Sequence, residues 1–269
     1  MNITGIRTRL IIGGLEYMRI PEMEIEYQRH FHLSVARVTL PDPSREVYRS
    51  VTTGTAMEIH LGYRDNDADV WSGTVRQVNP DRKKDQIRLT CVGIELPLST
   101  TMIMQSWEDE TPEAIIRYCV GQAGMTVGSI DATGIVFPRF TASSIPAWQV
   151  ARQCEHTCFR AFGKDMNTWD LWVGKDGAVN WGDSDESGDV PVIATGAGLI
   201  SHLPETDSKT GLARVETFLL PGFRRCWKFQ LRDTGRGIDE VFRARIARHV
   251  VKRNKVRTYI WYGDEYGKF

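Results

Sequence analysis

Apolar and polar positions alternate through most of the first hundred residues. Met23, Ile25 and Tyr27 trade places with Glu22, Glu24 and Glu26, inside a strand-like run from Leu15 to Tyr27 that breaks at Pro21. A period of two places the apolar set on one face and the carboxylates on the other. His30 to Leu40 repeats the pattern, with Phe31, Leu33 and Val35 on one side. Pro41-Asp42-Pro43 ends it, since proline brings no N–H to a ladder. Thr55 to Tyr63 follows, with Met57, Ile59 and Leu61 on one face, and then the polar turn Arg64-Asp65-Asn66-Asp67. Val70 to Val78 and Gln86 to Ile94 flank a charged tip from Pro80 to Asp85. Short strands with polar turns at this spacing predict a small antiparallel barrel or sandwich.

The period changes near Gln105. Thr111-Pro112-Glu113-Ala114 is a helix start, with Thr as N-cap and Pro at the first helical position. Ile115, Ile116, Cys119 and Val120 form its apolar face, and Gly121 and Gly124 end it. Met125 to Thr141 reads as a linker. A second amphipathic helix runs from about Pro146 to Ala161, with Trp148, Val150, Ala151, Cys154, Cys158 and Phe159 as its stripe. Asp176-Gly177 predicts a tight type I′ hairpin turn. After an acidic loop, Asp183 to Asp189, strands resume at Leu212–Leu220, Cys226–Leu231, Val241–Val251 and Val256–Tyr262. In Val241–Val251, Phe242, Ala244, Ile246 and Val250 alternate with Arg243, Arg245 and His249, which favours a strand although Ala and Arg are good helix formers.

The resulting fold class is mixed β with an α/β insert: two antiparallel β-barrel-like tube domains flanking a small helix-plus-hairpin domain. The expected limits are 1–104, 105–189 and 190–269. No internal repeat is visible by identity, yet the order β, α, β allows two related barrels. A chain of 269 residues is long enough for more than one domain.

Charge adds a gradient. The chain is neutral overall, with 34 basic and 34 acidic side chains, so the whole molecule is no polyanion binder. Residues 105–190 carry a net charge of −7 and residues 211–269 one of +8. Such asymmetry suits a chain that meets partners or its own copies through complementary faces, and equally one whose opposite surfaces simply differ. Five scattered cysteines argue against a disulfide framework. The N-terminus has no signal-peptide core, and no window approaches the roughly 18 apolar residues of a membrane span. A soluble protein made in the host cytoplasm is expected.

Four stretches carry a family resemblance. VWSGTVRQVNPDRKKDQIRLTCVGIELPL, SWEDETPEAIIRYCVGQAGM and SSIPAWQVARQCEHTCFRAFGKDMNTWDLWVGKDGAVNWG come in this order, before RVETFLLPGFRRCWKFQLRD with VFRARIARHVVKRNKVRTYIWY. Together they resemble the tail hub, or baseplate hub, proteins of tailed bacteriophages and the hub part of type VI secretion spike proteins. The resemblance implies a non-enzymatic virion protein at the tail tip. It implies a homotrimeric ring presenting six similar barrels, which joins a six-fold tail tube or distal tail ring to a three-fold spike or central fibre. A tape measure protein is a further implied neighbour, and DNA is met only in passage. No cofactor is implied.

Candidate chemistry is sparse. Cys154 and Cys158 share a helical face, but His156 points elsewhere and two more ligands are missing, so a packed core face is the reading. His30 and His32 could clip a metal, without a third ligand nearby. Asp183 to Asp189 imitates the start of a calcium loop, yet the twelfth position is Ala194. No metal site is assigned. Asp165, Asp170, Glu155 and Glu108-Asp109-Glu110 could supply a carboxylate pair about 5 to 9 Å apart for glycoside cleavage. A tail-associated cell-wall-degrading enzyme, glycosidase or peptidase, is therefore one alternative function. Arg243, Arg245 and Arg248 with Tyr259 and Trp261 are a mix that also stacks on bases, so a nucleic-acid-binding module is another. The preferred role for Arg243, Arg245 and Arg248 is subunit contact, facing Asp183 and Asp185 of a neighbouring copy.

Overall fold

A computed structural model describes residues 5–18, 22–28, 33–63, 69–81, 85–174, 176–183, 190–204, 211–253 and 255–263. The first strands are β1 (Ile6–Ile12), β2 (Leu15–Tyr17), β3 (Glu22–Gln28) and β4 (Val35–Pro41). A short helix α1 (Glu46–Ser50) precedes β5 (Ala56–Tyr63), β6 (Asp69–Asp81) and β7 (Gln86–Gly93). The middle of the chain holds α2 (Leu96–Thr100), β8 (Met102–Glu110), α3 (Pro112–Gln122), β9 (Val127–Ile130), β10 (Phe137–Pro146), α4 (Ala147–Phe162), β11 (Trp169–Val173) and β12 (Val179–Asp183). The last strands are β13 (Val192–Thr195), β14 (Gly198–Leu203), β15 (Ala213–Thr217), β16 (Lys228–Asp233), β17 (Ile238–Lys252) and β18 (Lys255–Tyr262). Two compact units result, one built from Met1–Gly93 with Asp189–Gly263, the other centred on Ile94–Gly188.

In the first unit all strands join one ladder, in the order β16-β13-β14-β15-β18-β17-β3-β4-β7-β6-β5-β1-β2. β16 also pairs with β17, so β13 to β18 close into a six-stranded barrel. The expected strand pattern of Val241–Val251 holds, but its facing does not. A bulge falls at Arg245, between the pairs Ala244↔Tyr262 and Ile246↔Trp261. One extra residue flips every later side chain to the other face. Arg245, Ala247 and His249 therefore turn inward.

The two sets of strands repeat one plan. In chain order and in sheet order, β3, β4, β7, β6, β5 and β1 match β14, β15, β18, β17, β16 and β13. The match extends to single hydrogen bonds. Val75 N donates to Thr55 O at 2.9 Å and Gly54 N to Val75 O at 2.8 Å; Ala244 N donates to Trp227 O at 2.9 Å and Cys226 N to Ala244 O at 2.7 Å. Gly54 has φ 91°, and Cys226 takes φ 66° at the matching place, a costly choice for a residue with a Cβ. Both long strands bulge at the same point, β6 at Arg76 and β17 at Arg245. Buried positions correspond too: Met57, Ile59 and Leu61 with Phe229, Leu231 and Asp233, and Leu89 and Cys91 with Ile260 and Tyr262. Closure differs. β13 runs parallel to both β14 and β16, whereas β1 runs antiparallel to β5 and β2, and no ladder joins β1 to β3 among the described residues.

Two expectations for the first strands change. The inner face of β4 is Ala36, Val38 and Leu40, so Val35 faces outward, not inward. Glu26 is only 7% exposed instead of solvated, because β17 lies beside it. His30, Phe31 and His32 lie outside the described residues.

The second unit contains the two predicted helices. The Thr111 hydroxyl accepts from Ala114 N at 3.3 Å, and Ile115, Ile116, Cys119 and Val120 are buried. α4 ends at Gly163 in the left-handed region (φ 67°). Met125 to Thr141 is more than a linker: it holds β9, which runs beside β12, and the first part of β10, which pairs with β8. The hairpin β11–β12 forms as expected, but its turn differs. Of Asp176 and Gly177, Gly177 alone has positive φ; Gly174 N bonds Ala178 O across the turn, and Asp176 Oδ1 accepts from Ala178 N. A type I′ turn would need two positive φ angles.

One hydrophobic cluster runs through both strand sets of the first unit, from Leu10 to Tyr262. Phe229, fully buried, meets Phe223, Phe242 and Tyr262 edge-on or tilted. Phe229→Ala is expected to cost about 3–5 kcal/mol in urea unfolding. Hydrogen exchange should then show β6–β7 and β17–β18 losing protection together; separate losses would mean two independent cores.

Candidate functional site

The seam between β17 and β3 concentrates the charged chemistry of the first unit. Antiparallel pairing sets Arg248 opposite Glu26, Val250 opposite Glu24 and Lys252 opposite Glu22. Arg248 Nη2 lies 2.5 Å from Glu26 Oε2 and its Nε 3.6 Å from Glu24 Oε1, while Lys252 pairs with Glu22. Arg37 of β4 reaches Glu24 at 3.1 Å from the other side. The Arg248 guanidinium also stacks over Trp261, 5.1 Å from the ring centre. Arg225, 8% exposed, donates to Gln28 O at 2.7 Å at the end of the same seam. Exposed pairs of this type contribute little, but Glu26 is nearly buried and needs Arg248 to neutralise it. A groove of about 390 Å³ opens on this face, bounded by Arg214, Glu216, Lys255 and Tyr259 as well as the seam.

Two histidines sit in polar chains inside the barrel. His202 Nδ1 is 2.7 Å from Asp233 Oδ2 and its Nε2 is 2.7 Å from Tyr262 Oη. The bond from His202, with help from Arg236, holds Asp233 below the usual carboxylate range. His249 is 3% exposed; its Nε2–H donates to Phe223 O at 2.8 Å, so Nδ1 accepts from the Thr258 hydroxyl at 2.9 Å. Burial pushes its pKa down to about 4. Nothing in the alternation of Val241–Val251 signalled that His249 faces inward, since the bulge that turns it has no local sequence mark.

The expected contact residues are placed as follows. Arg243, Arg245 and Arg248 share β17. Arg243 Nη1 donates to Cys226 O at 2.8 Å, and Arg245, 4% exposed, donates through Nε to Gly263 O at 3.0 Å. Arg248 keeps about a third of its side chain exposed. Asp183 ends β12, where its backbone N–H bonds Asp131 Oδ2. Asp185 and most of the acidic loop lie outside the described residues. Burial pushes the Cys158 thiol up to about 12 and the Cys154 thiol well above its ordinary range, while His156 is exposed. Such thiols pack and do not react. Among the described residues no three His, Cys, Asp or Glu side chains converge as a metal site would require. Glu155, 1% exposed, binds Trp181 Nε1 and Arg152, Asp165 Oδ1 accepts from Asn167 N, and Asp170 is buried. These acids support local structure.

The fold is shared with solved structures. A tail protein from Neisseria meningitidis MC58 aligns over 97% of both chains with a TM-score of 0.72 at 10% identity. The 43 kDa tail protein of prophage MuSo2 from Shewanella oneidensis aligns over 96% of both chains, with TM-score 0.68 and 11% identity. The fold is that of phage tail proteins. The E. coli c3393 protein, described as a type VI secretion component with structural similarity to the T4 tail proteins gp27 and gp5, gives TM-score 0.61 at 8% identity; 95% of this chain matches 76% of that one. No protein-family model and no curated protein matches the sequence. The tail-protein fold here contains no described helix long and apolar enough to cross a membrane.

His249 makes the fold acid-sensitive. Its folded pKa lies below the unfolded value of about 6.5, so the unfolded state takes up the proton first. Stability is full above that value and falls as pH drops towards 4, by up to about 3 kcal/mol. Asp233, also depressed, acts in the same sense at lower pH. Denaturant titrations from pH 7 to 4 should show the fall, and His249→Gln should flatten it; an unchanged slope contradicts this assignment.

Proposed function

We propose that this chain is a structural hub of a phage tail, with no catalytic role. Three copies form a ring whose six strand sets match a six-fold tail tube or distal tail ring. The other side of the ring receives a three-fold spike or central fibre, and the channel passes DNA. A tape measure protein is a further neighbour. The virion tail tip is the location.

The observation that carries this reading is the repeat of one six-strand plan within a single chain. A chain holding two equivalent sets converts three-fold symmetry into quasi-six-fold symmetry without any change of subunit. The tail-protein fold over almost the whole length supports it. The seam chemistry also suits a conduit: Glu22, Glu24 and Glu26 neutralise Arg248 and Lys252, which leaves fewer free cations to hold phosphates. Subunit contacts are assigned to Arg243 and Arg248, with Asp183 and Asp185 of the neighbouring copy as their acidic counterpart. Arg245 contributes from inside the chain, by fixing Gly263.

Light scattering of the full chain at high micromolar concentration is expected to give three times the single-chain mass. A single-chain mass throughout contradicts the ring. Glycan release from purified peptidoglycan would instead favour a cell-wall enzyme.

A further inference from the structure

We propose that the groove beside Arg214 is a docking site for an acidic peptide segment of a partner protein. A carboxylate of the segment meets Arg214, and an apolar side chain next to it covers Leu203. The site lies within one chain and needs no ring.

Charge pairing in this groove is complete except at one place. Arg248 has Glu24 and Glu26, Lys252 has Glu22, and Lys255 Nζ lies 3.4 Å from Glu216 Oε1. Arg214 has no carboxylate partner among the described residues. The ladder gives the reason. Arg248 lies directly opposite Glu26, whereas Arg214 lies opposite Leu203 of β14 on one side and Trp261 of β18 on the other. Directly opposite residues of an antiparallel pair share a face. Leu203, Arg214 and Trp261 therefore form one row across the outer side of β14, β15 and β18, while His202, Val215 and Ile260 are buried on the inner side. The Arg214 guanidinium lies over the Tyr259 ring, 5.7 Å from its centre. The ring holds the cation in place but brings no anion to its N–H groups.

Both neighbours of Arg214 in the row are also incomplete. Trp261 lines the groove and is 6% exposed, yet its Nε1–H meets no acceptor among the described residues. A buried donor without an acceptor is costly, and an incoming carboxylate oxygen supplies one. Leu203, at the other end, is 47% exposed. A cation, an orphan N–H and an apolar side chain in one row match a carboxylate flanked by an apolar residue. Arginine presents a planar fork to such a carboxylate, and Leu203 offers apolar surface to its neighbour.

The same groove is a poor track for nucleic acid. Arg248 lies over Trp261 and Lys255 over Tyr259, each 5.1 Å from the ring centre, so the protein's own cations cover the rings on which bases would stack. Glu24 and Glu216 stand in the groove wall and repel a continuous phosphate chain. A peptide carries its charges on separate side chains and can pass between them.

Fluorescence anisotropy of the full chain tests the site with a labelled hexapeptide in which two leucines lie between aspartate pairs. Saturable binding that weakens as salt rises is expected, with none for the same peptide carrying asparagine. Arg214→Gln should weaken binding at least about tenfold, as loss of a charged hydrogen-bonded pair does. Trp261→Phe keeps a ring beneath Arg248, removes the N–H and should weaken binding several-fold. Leu203→Asp is the sharper variant. It sets a carboxylate opposite Arg214, supplies from within the chain what the peptide brings, and should abolish binding, while Leu203→Asn keeps part of it. Arg214 and Leu203 are both partly exposed, so these variants keep the fold. Equal binding by Arg214→Gln and the native chain, or by Leu203→Asp and Leu203→Asn, overturns the site, as does no binding of the aspartate peptide. A single-stranded oligonucleotide of matching charge that binds more tightly than the peptide, and is lost with Arg214→Gln, assigns the groove to phosphates and overturns the peptide.

Discussion

The edge of β17 serves two partners in succession, β16 before Arg245 and β3 after it, and the first unit depends on that exchange. Without it the closed barrel of β13 to β18 and the ladder of β1 to β7 would be separate sheets. The bulge at Arg245 makes the exchange possible, since one extra residue bends the strand and lets β16 leave as β3 arrives. Hydrogen bonding then continues across the junction, and no long edge is left bare within the seam.

The same junction explains the charge pattern. The chain's basic end and the three glutamates of β3 are far apart in sequence, yet they meet across one ladder. Arg248 sits in a cross-strand position where opposite charge helps, and it also covers Trp261 with its guanidinium face. Neutrality of the whole molecule thus has a local counterpart. Along this seam Arg248 and Lys252 are paired with the three glutamates, as the proposed conduit role would require.

Much of this was legible in the sequence. The period of two located β5, β6, β7, β15, β17 and β18, cap chemistry at Thr111 located α3, and the apolar stripe from Trp148 to Phe159 located α4. The short strands β9, β13 and β14 were missed, because four to six residues carry too little periodicity. Facing was lost where a bulge intervenes: Arg245 and His249 read as outward until one extra residue turns them in. The repeat of the strand plan was hidden for a related reason. Matching positions keep backbone geometry, as Gly54 with Cys226, or burial, as Leu61 with Asp233, while exchanging side chains, so identity vanishes while the ladder persists. The arginines of β17 were singled out by composition, but the partners of Arg248, Glu24 and Glu26, lie more than two hundred residues away, beyond the reach of local pattern.

The account stands on the equivalence of the two strand sets in the assembled protein. Electron-microscope class averages of the purified assembly, viewed down its axis, test it most directly. Six similar densities around an open centre, alternating in fine detail with three-fold symmetry, are predicted. Three densities with no six-fold component, or a particle lacking an axis, would contradict it.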